Sequence, residues 1–150
     1  MERIKNNELP QGLMAAMHYV EAYLDQSGLD HLLLELMRLR VSQINGCAYC
    51  LDMHSKEALH AGETFQRLIS ISAWREAPYY TPKERAVLEF AELLTYMKAD
   101  VEADEIHEVL LSYFNKQEIA NLTLAIAQIN SWNRIVKSTG AIAGNYQVKK

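Results

Sequence analysis

Residues 35–62 read ELMRLRVSQINGCAYCLDMHSKEALHAG. This stretch holds both cysteines of the protein, Cys47 and Cys50, with two residues between them. His54 follows four residues after Cys50, and Glu35 lies twelve residues before Cys47. Cysteine, histidine and carboxylate side chains at short spacing are the groups that carry redox chemistry or bind metals. Any chemistry of this chain is therefore expected here.

The first half of the stretch predicts a helix that is buried on nearly every side. The helix starts after Asp30, a preferred residue type for an N-cap, and runs to Asn45. Its polar residues share a narrow arc of about 80° on the helical wheel, which should face solvent or a cleft. The arc holds Glu35, Arg38, Ser42 and Asn45. Arg40 interrupts the apolar side, and we expect it to have a partner because buried charge requires one.

The second half predicts a helix that begins near Cys47 and runs to Ala61. On this helix Cys50 and His54 fall within about 60° of Cys47, so the three side chains share one face. Free N–H groups at a helix start lower the pKa of a thiol, and His54 can accept the proton of Cys50. We therefore predict a cycle in which one thiolate is oxidised to a sulfenic acid and the other cysteine resolves it to a disulfide.

Other polar side chains near the thiols carry weaker signals. Tyr49 and His60 should project to the other side of the helix, and Glu57 should be solvated at the border of the thiol face. His18 and His31 stand alone in the sequence, without a spacing that indicates a site.

The rest of the chain predicts an all-α fold. Only six glycines and three prolines occur, mostly at positions that look like helix ends, and no strand-like alternation is present. Pro10 should start the first helix. Thr81 and Asn115 each precede a glutamate by three residues, the capping-box pattern, and so should start two long helices. The chain is predicted to be one domain over residues 1–150, with a loosely held segment after Gly140.

Composition excludes several function classes. The formal net charge is −4, and no stripe of lysine and arginine stands out, so no nucleic-acid partner is expected. The sequence also lacks a long apolar run and a secretory signal, so we expect a cytoplasmic protein with no membrane partner. Two closely spaced cysteines in such a chain favour redox chemistry or metal binding over a structural staple.

These residues resemble the active-site signature of AhpD-like alkylhydroperoxidases, which belong to the carboxymuconolactone decarboxylase superfamily. The signature comprises Glu35, eleven intervening residues, the Cys-Ala-Tyr-Cys motif of residues 47–50, and His54. The resemblance covers about residues 30 to 135, including Ser-Ala-Trp-Arg-Glu at 72–76 and Ile-Asn-Ser-Trp-Asn-Arg at 129–134. The main departure is Tyr49, because the best-studied type of member has a histidine there.

The resemblance implies a fold, an activity and partners. It implies an AhpD-like helical bundle with intimately paired subunits that assemble into a dimer-based trimer or hexamer. The activity would be that of a peroxiredoxin-like oxidoreductase, an alkylhydroperoxidase that reduces a small hydroperoxide. Cys50 would meet the peroxide, the more accessible Cys47 would resolve it, and His54 and Glu35 would relay protons. A lipoyl or thioredoxin-like dithiol would be the reductant, and neither a cofactor nor a resident metal is expected.

Two alternatives stay open at this point. In one, Cys47, Cys50 and His54 bind zinc, with Glu35 or His60 as the fourth ligand. In the other, the protein is a disulfide reductase or a redox sensor without significant peroxidase turnover.

Overall fold

A computed structural model of the chain describes residues 2–148. Met1, Lys149 and Lys150 lie outside the described residues. They are the ends of the predicted 1–150 domain, and the two lysines also end the segment after Gly140 that was predicted to be loosely held. The described residues form seven α-helices and no strand, which confirms the all-α prediction. They are α1 (Leu13–Asp25), α2 (His31–Ile44), α3 (Ala48–His60), α4 (Phe65–Ser70), α5 (Pro82–Tyr96), α6 (Asp104–Leu110) and α7 (Lys116–Thr139). Single 3₁₀ turns occur at Asn6–Glu8 and Ile71–Ala73.

The helix starts follow the sequence signals with one exception. Asp30 caps α2 by accepting a hydrogen bond from the backbone N–H of Leu33 at 2.7 Å, and Thr81 and Asn115 form complete capping boxes. A cap of this kind contributes about 1 kcal/mol to helix stability. The prediction that Pro10 starts α1 is wrong, because Gly12 has a left-handed φ of 91° and the helix begins after it.

Helix α2 lies at the centre of the molecule. Nine of its fourteen residues are buried. One side packs into a core built with α1, α5, α6 and α7, and the other side packs against α3, α4 and the loop after it. The near-complete burial predicted for this helix is therefore observed, and α2 separates two apolar clusters.

Arg40 finds the partner that its position on α2 requires. Its Nε donates to Oε1 of Glu92 at 2.7 Å, and Glu92 also accepts from Trp74 and from Arg75. Burial raises the pKa of the Glu92 carboxyl, but hydrogen bonds from Trp74, Arg75 and Arg40 outweigh it, so the pKa lies below its usual value. This buried carboxylate joins α2 to α5 and to the loop that carries Trp74 and Arg75.

None of the helices in residues 2–148 combines the length and the apolar character that a membrane crossing needs.

Candidate active site

The two cysteines lie at a tight turn that joins α2 to α3. Gly46 adopts a left-handed φ of 60° after the end of α2, and Cys47 is the N-cap residue of α3. The turn is held to α7 by polar contacts: the Asn45 side chain donates to Asn133 at 2.9 Å, and Asn133 donates to Ser42 at 3.1 Å. Ser42 and Asn45, the last two residues of the polar arc of α2, therefore face α7. Their contacts fix the start of α3.

Cys47 and Cys50 form a disulfide within the first turn of α3. Their Cα atoms are 5.3 Å apart, a separation typical of disulfides. The resemblance implied that Cys47 is the more accessible cysteine, but the exposed fractions are 1% for Cys47 and 2% for Cys50. The two cysteines differ in another way, because Cys50 is among the residues that line the cavity beside α3 and Cys47 is not among them.

His54 and Glu35 meet across the α2–α3 interface. Nδ1 of His54 lies 2.8 Å from Oε2 of Glu35, and both side chains are buried. Because an ionised carboxylate only accepts hydrogen bonds, Nδ1 carries a hydrogen, and in the neutral form of this imidazole Nε2 holds the lone pair. Nε2 is buried and has no hydrogen-bond partner among the described residues. His54 and Cys50 line the same cavity, and an imidazole nitrogen without a partner has the chemistry of a proton acceptor.

The Glu35 carboxylate is held in its ionised form. Burial raises the pKa of this carboxyl, but the hydrogen bond and charge of His54 and the guanidinium of Arg38 together lower it below its usual value. Nη1 of Arg38 donates to Oε1 of Glu35 at 2.7 Å, which leaves Oε2 for His54. The positive charge of Arg38 thus balances the negative charge of the carboxylate. It limits the rise in thiol pKa that a negative charge nearby would cause.

A chain of polar contacts extends from Glu35 to two further helices. Nη2 of Arg38 lies 3.3 Å from Oε2 of Glu21 on α1, and Oε1 of Glu21 accepts from Nε1 of Trp132 on α7 at 2.7 Å. Sequence reasoning missed Glu21, which has no local spacing signal. Trp132 lies in the 129–134 motif, and that motif was the only hint of its place here.

The cavity beside Cys50 has a volume of about 310 Å³. Most of its surface is apolar, although seven of the fifteen residues that line it are histidine, glutamate or arginine, and Cys50 and His54 lie on the α3 side. The apolar contributors include Met14, Met53, Ile129, Trp132 and Val136. A cavity of this size and character fits a small organic molecule. A more open groove of about 620 Å³ lies at the end of α5, and neither a cysteine nor a histidine of the described residues lines it.

Four residues lie closer to the site than the sequence indicated. Tyr49 lines the cavity, although the helical wheel pointed it away from the thiol face. Glu57 also lines the cavity and accepts a hydrogen bond from a tyrosine hydroxyl, so it is not simply solvated. His18 and His31, isolated in the sequence, reach the cavity from the first two helices. The wheel failed because the cavity wraps around more of α3 than the thiol face alone.

The segment after α7 also differs from its prediction. It was expected to be loosely held, but its residues 144–146 pack on α3 through hydrogen bonds with Asp52 and Lys56. Tyr146 reaches the cavity that Cys50 lines.

The contacts do not favour the zinc alternative. Among residues 2–148, no group of three or more histidine, cysteine, aspartate or glutamate side chains is arranged to hold a metal ion. Glu35 is engaged by His54 and Arg38. His60 is exposed at the other end of α3.

Comparisons with known proteins point to one family. The sequence pattern of the carboxymuconolactone decarboxylase family matches residues 8–93. The uncharacterized protein YdfG of Bacillus subtilis is 38% identical over 139 residues, which cover 93% of this chain and 95% of YdfG.

Solved structures share the fold over most of the chain. The crystal structure of ATU0492 from Agrobacterium tumefaciens, a protein of unknown function described as a putative antioxidant defence protein AhpD, superposes with a TM-score of 0.90 at 38% identity. That match covers 97% of this chain and 100% of the other. A peroxidase-related protein from Silicibacter sp. TM1040 gives a TM-score of 0.78 at 27% identity, covering 88% of this chain and 70% of the other. The helices therefore form the AhpD-like fold that the motif implied.

Proposed function

The chain belongs to the carboxymuconolactone decarboxylase family, and from this membership we propose that it is an AhpD-like, thiol-dependent peroxidase. The observation that carries the proposal is the cysteine pair in the first turn of α3, beside a buried histidine whose Nε2 has no partner among the described residues. The names of the ATU0492 and Silicibacter structures, which refer to antioxidant defence and to peroxidases, support the same class.

In the first proposed step, Cys50 reacts with the hydroperoxide. Nε2 of His54 accepts the proton of the Cys50 thiol, and the carboxylate of Glu35 stabilises the imidazolium that forms. The thiolate attacks the terminal oxygen of the hydroperoxide, and the O–O bond breaks. Cys50 becomes a sulfenic acid, and the proton on His54 goes to the departing alkoxide to give an alcohol.

In the second step, Cys47 resolves the sulfenic acid. Its sulphur attacks the Cys50 sulphur, water leaves, and the Cys47–Cys50 disulfide forms. A dithiol then reduces the disulfide and is itself oxidised to a disulfide. The complete cycle converts one hydroperoxide and one dithiol into one alcohol, one water and one disulfide.

The cavity favours a hydroperoxide with a hydrocarbon group. Most of its surface is apolar, so burial of a hydrocarbon group there is favourable, and hydrogen peroxide has no such group to bury. The reductant must reach two cysteine residues whose exposed fractions are at most 2%. An extended arm such as a lipoyl group meets this condition more easily than a folded thioredoxin-like protein.

Assembly into a homo-oligomer is part of the proposal. Several large apolar side chains are exposed on α1 and α4, where Tyr19 is 77%, Phe65 71% and Ile69 63% exposed. Phe65 and Ile69 are four residues apart on α4 and so share one face, and an exposed apolar face is typical of an interaction site. Light scattering should give a mass well above the 17.1 kDa of one chain; a monomer at micromolar concentration would contradict this part.

The test of the proposed function is hydroperoxide consumption by the dithiothreitol-reduced protein. Reduced protein should consume tert-butyl hydroperoxide with a kcat/KM about tenfold above that for hydrogen peroxide, because an apolar pocket discriminates on this scale. Protein whose thiols are blocked by iodoacetamide is the control and should add nothing to the rate of dithiothreitol alone. If reduced protein is no faster than this control, the proposal fails. One slow oxidation without turnover would favour the redox-sensor alternative.

A further inference from the structure

The segment that follows α7 returns to the active-site helix. Gly140 ends α7, and four residues later Gly144 has a left-handed φ of 102°. The backbone N–H groups of Gly144 and Tyr146 both donate to Oδ2 of Asp52 on α3, at 2.9 and 3.4 Å. Because an L side chain is strained at such a φ, this path of the backbone depends on glycine at 144.

Lys56 completes a latch with Asp52. It lies one turn further along α3, and its Nζ donates to the backbone carbonyl of Tyr146 at 2.9 Å. The same Nζ lies 2.7 Å from Oδ1 of Asp52. Asp52 therefore binds the backbone N–H of Tyr146, and Lys56 binds its backbone carbonyl. These two residues of α3 fix the position of Tyr146.

Tyr146 reaches from the latch into the cavity. Its side chain lines the cavity with Cys50 and His54, and its hydroxyl donates a hydrogen bond to Oε1 of Glu57. Burial and the neighbouring Glu57 carboxylate raise the pKa of Tyr146 above its usual value. The residue is therefore a neutral phenol at neutral pH, and its ring forms a fixed wall of the cavity.

We propose that Tyr146, latched to α3 by Asp52 and Lys56, is the residue that sets the size of molecule admitted to Cys50. The other described residues that line the cavity belong to α1, α2, α3 or α7, so Tyr146 is the part of the wall that an irregular segment carries. Small reagents pass into a 310 Å³ cavity, and bulky ones meet the Tyr146 ring. The consequence for substrate choice rests on the proposed peroxidase function; the consequence for access to Cys50 does not.

Access is measured with two maleimides that share a reactive group and differ in size. In a Cys47→Ser background Cys50 is the single thiol of the chain, and its labelling by N-methylmaleimide and by fluorescein maleimide is followed by mass spectrometry. Tyr146→Ala should raise the fluorescein maleimide rate about tenfold and the N-methylmaleimide rate less than about twofold. Tyr146→Phe keeps the ring and should leave the ratio of the two rates unchanged. The control is Tyr96→Ala, which removes a tyrosine that is 53% exposed on α5 and outside this cavity.

The latch is tested separately from the ring. Gly144→Ala leaves Tyr146 intact but strains the backbone path, and it should raise the fluorescein maleimide rate selectively. Gly62→Ala is the matched control, because Gly62 also has a φ of 102° and open space within 4 Å of where a Cβ would lie, yet it is at the far end of α3. Equal acceleration of both reagents by Tyr146→Ala, or no acceleration, overturns the proposal. If Tyr146→Ala accelerates fluorescein maleimide selectively but the protein shows no peroxidase turnover, the role of Tyr146 stands and the proposed function is rejected.

Discussion

Replacing Cys50 with serine is expected to lower the rate of hydroperoxide consumption at least about a thousandfold, because the nucleophile is lost. Cys50 is the cysteine that lines the cavity, and it lies one helical turn from the available Nε2 of His54. A serine hydroxyl at this position has neither the acidity nor the nucleophilicity of a thiol. The measurement is a single turnover of pre-reduced protein with tert-butyl hydroperoxide, followed in a stopped-flow instrument without free dithiol.

Cys47→Ser is the matched variant, because it removes the other sulphur of the same pair. It should consume one equivalent of hydroperoxide at close to the wild-type rate and stop at a Cys50 sulfenic acid, which dimedone traps. If Cys47→Ser is the variant that loses the first turnover and Cys50→Ser keeps it, the assignment of the two sulphurs is reversed.

Glu35→Gln is expected to slow the same single turnover about a hundredfold, since a glutamine cannot stabilise the imidazolium of His54 by charge. It should also lower the free energy of unfolding by about 2 kcal/mol, the scale of one lost hydrogen bond to a charged group. The loss is no larger because Arg38 keeps Glu21 as a partner. Denaturant titration gives the stability. Glu92→Gln separates the two effects: it removes another buried, arginine-paired carboxylate and should lower stability without slowing the reaction. Equal slowing by both variants would show that lost stability alone explains the effect.

The effect of Glu35→Gln on the free energy of unfolding should depend on pH. The pKa of Glu35 is lowered in the folded protein from 4.5, so its ionised form contributes stability above pH 4.5, and this contribution is lost as the pH falls through the lowered value. The Gln variant should therefore lose less stability than the wild type when the pH falls from 7 through this range. A wild type and variant with parallel stability curves would contradict the lowered pKa.

Local patterns explain how much of the fold was predictable. Asp30, Thr81 and Asn115 cap helices through contacts with residues two or three positions away, so short sequence windows contain the relevant physics. The burial of α2 follows from its own apolar composition in the same way. Pro10 was misleading because the left-handed Gly12, two residues later, moved the start of the helix.

The candidate site was predictable only in its local part. Cys47, Cys50 and His54 lie on one helix, so the period of that helix predicts that they share a face. Glu35 lies on another helix and was assigned to the site through the motif of the AhpD-like family. Glu21 was not, because it meets Arg38 from another helix, 17 residues away in the sequence. Tyr146 was missed for a similar reason: its latch residues Asp52 and Lys56 belong to a helix about 90 residues earlier, and no periodic pattern links them.

The most direct test of the proposed chemistry is the mass of the reduced protein after one equivalent of tert-butyl hydroperoxide. We expect a loss of two hydrogen atoms, a peptide map that joins Cys47 to Cys50, and recovery of both thiols when a dithiol is added. A protein that keeps its reduced mass, or that gains oxygen atoms on Cys50 without forming the disulfide, would contradict the proposed cycle.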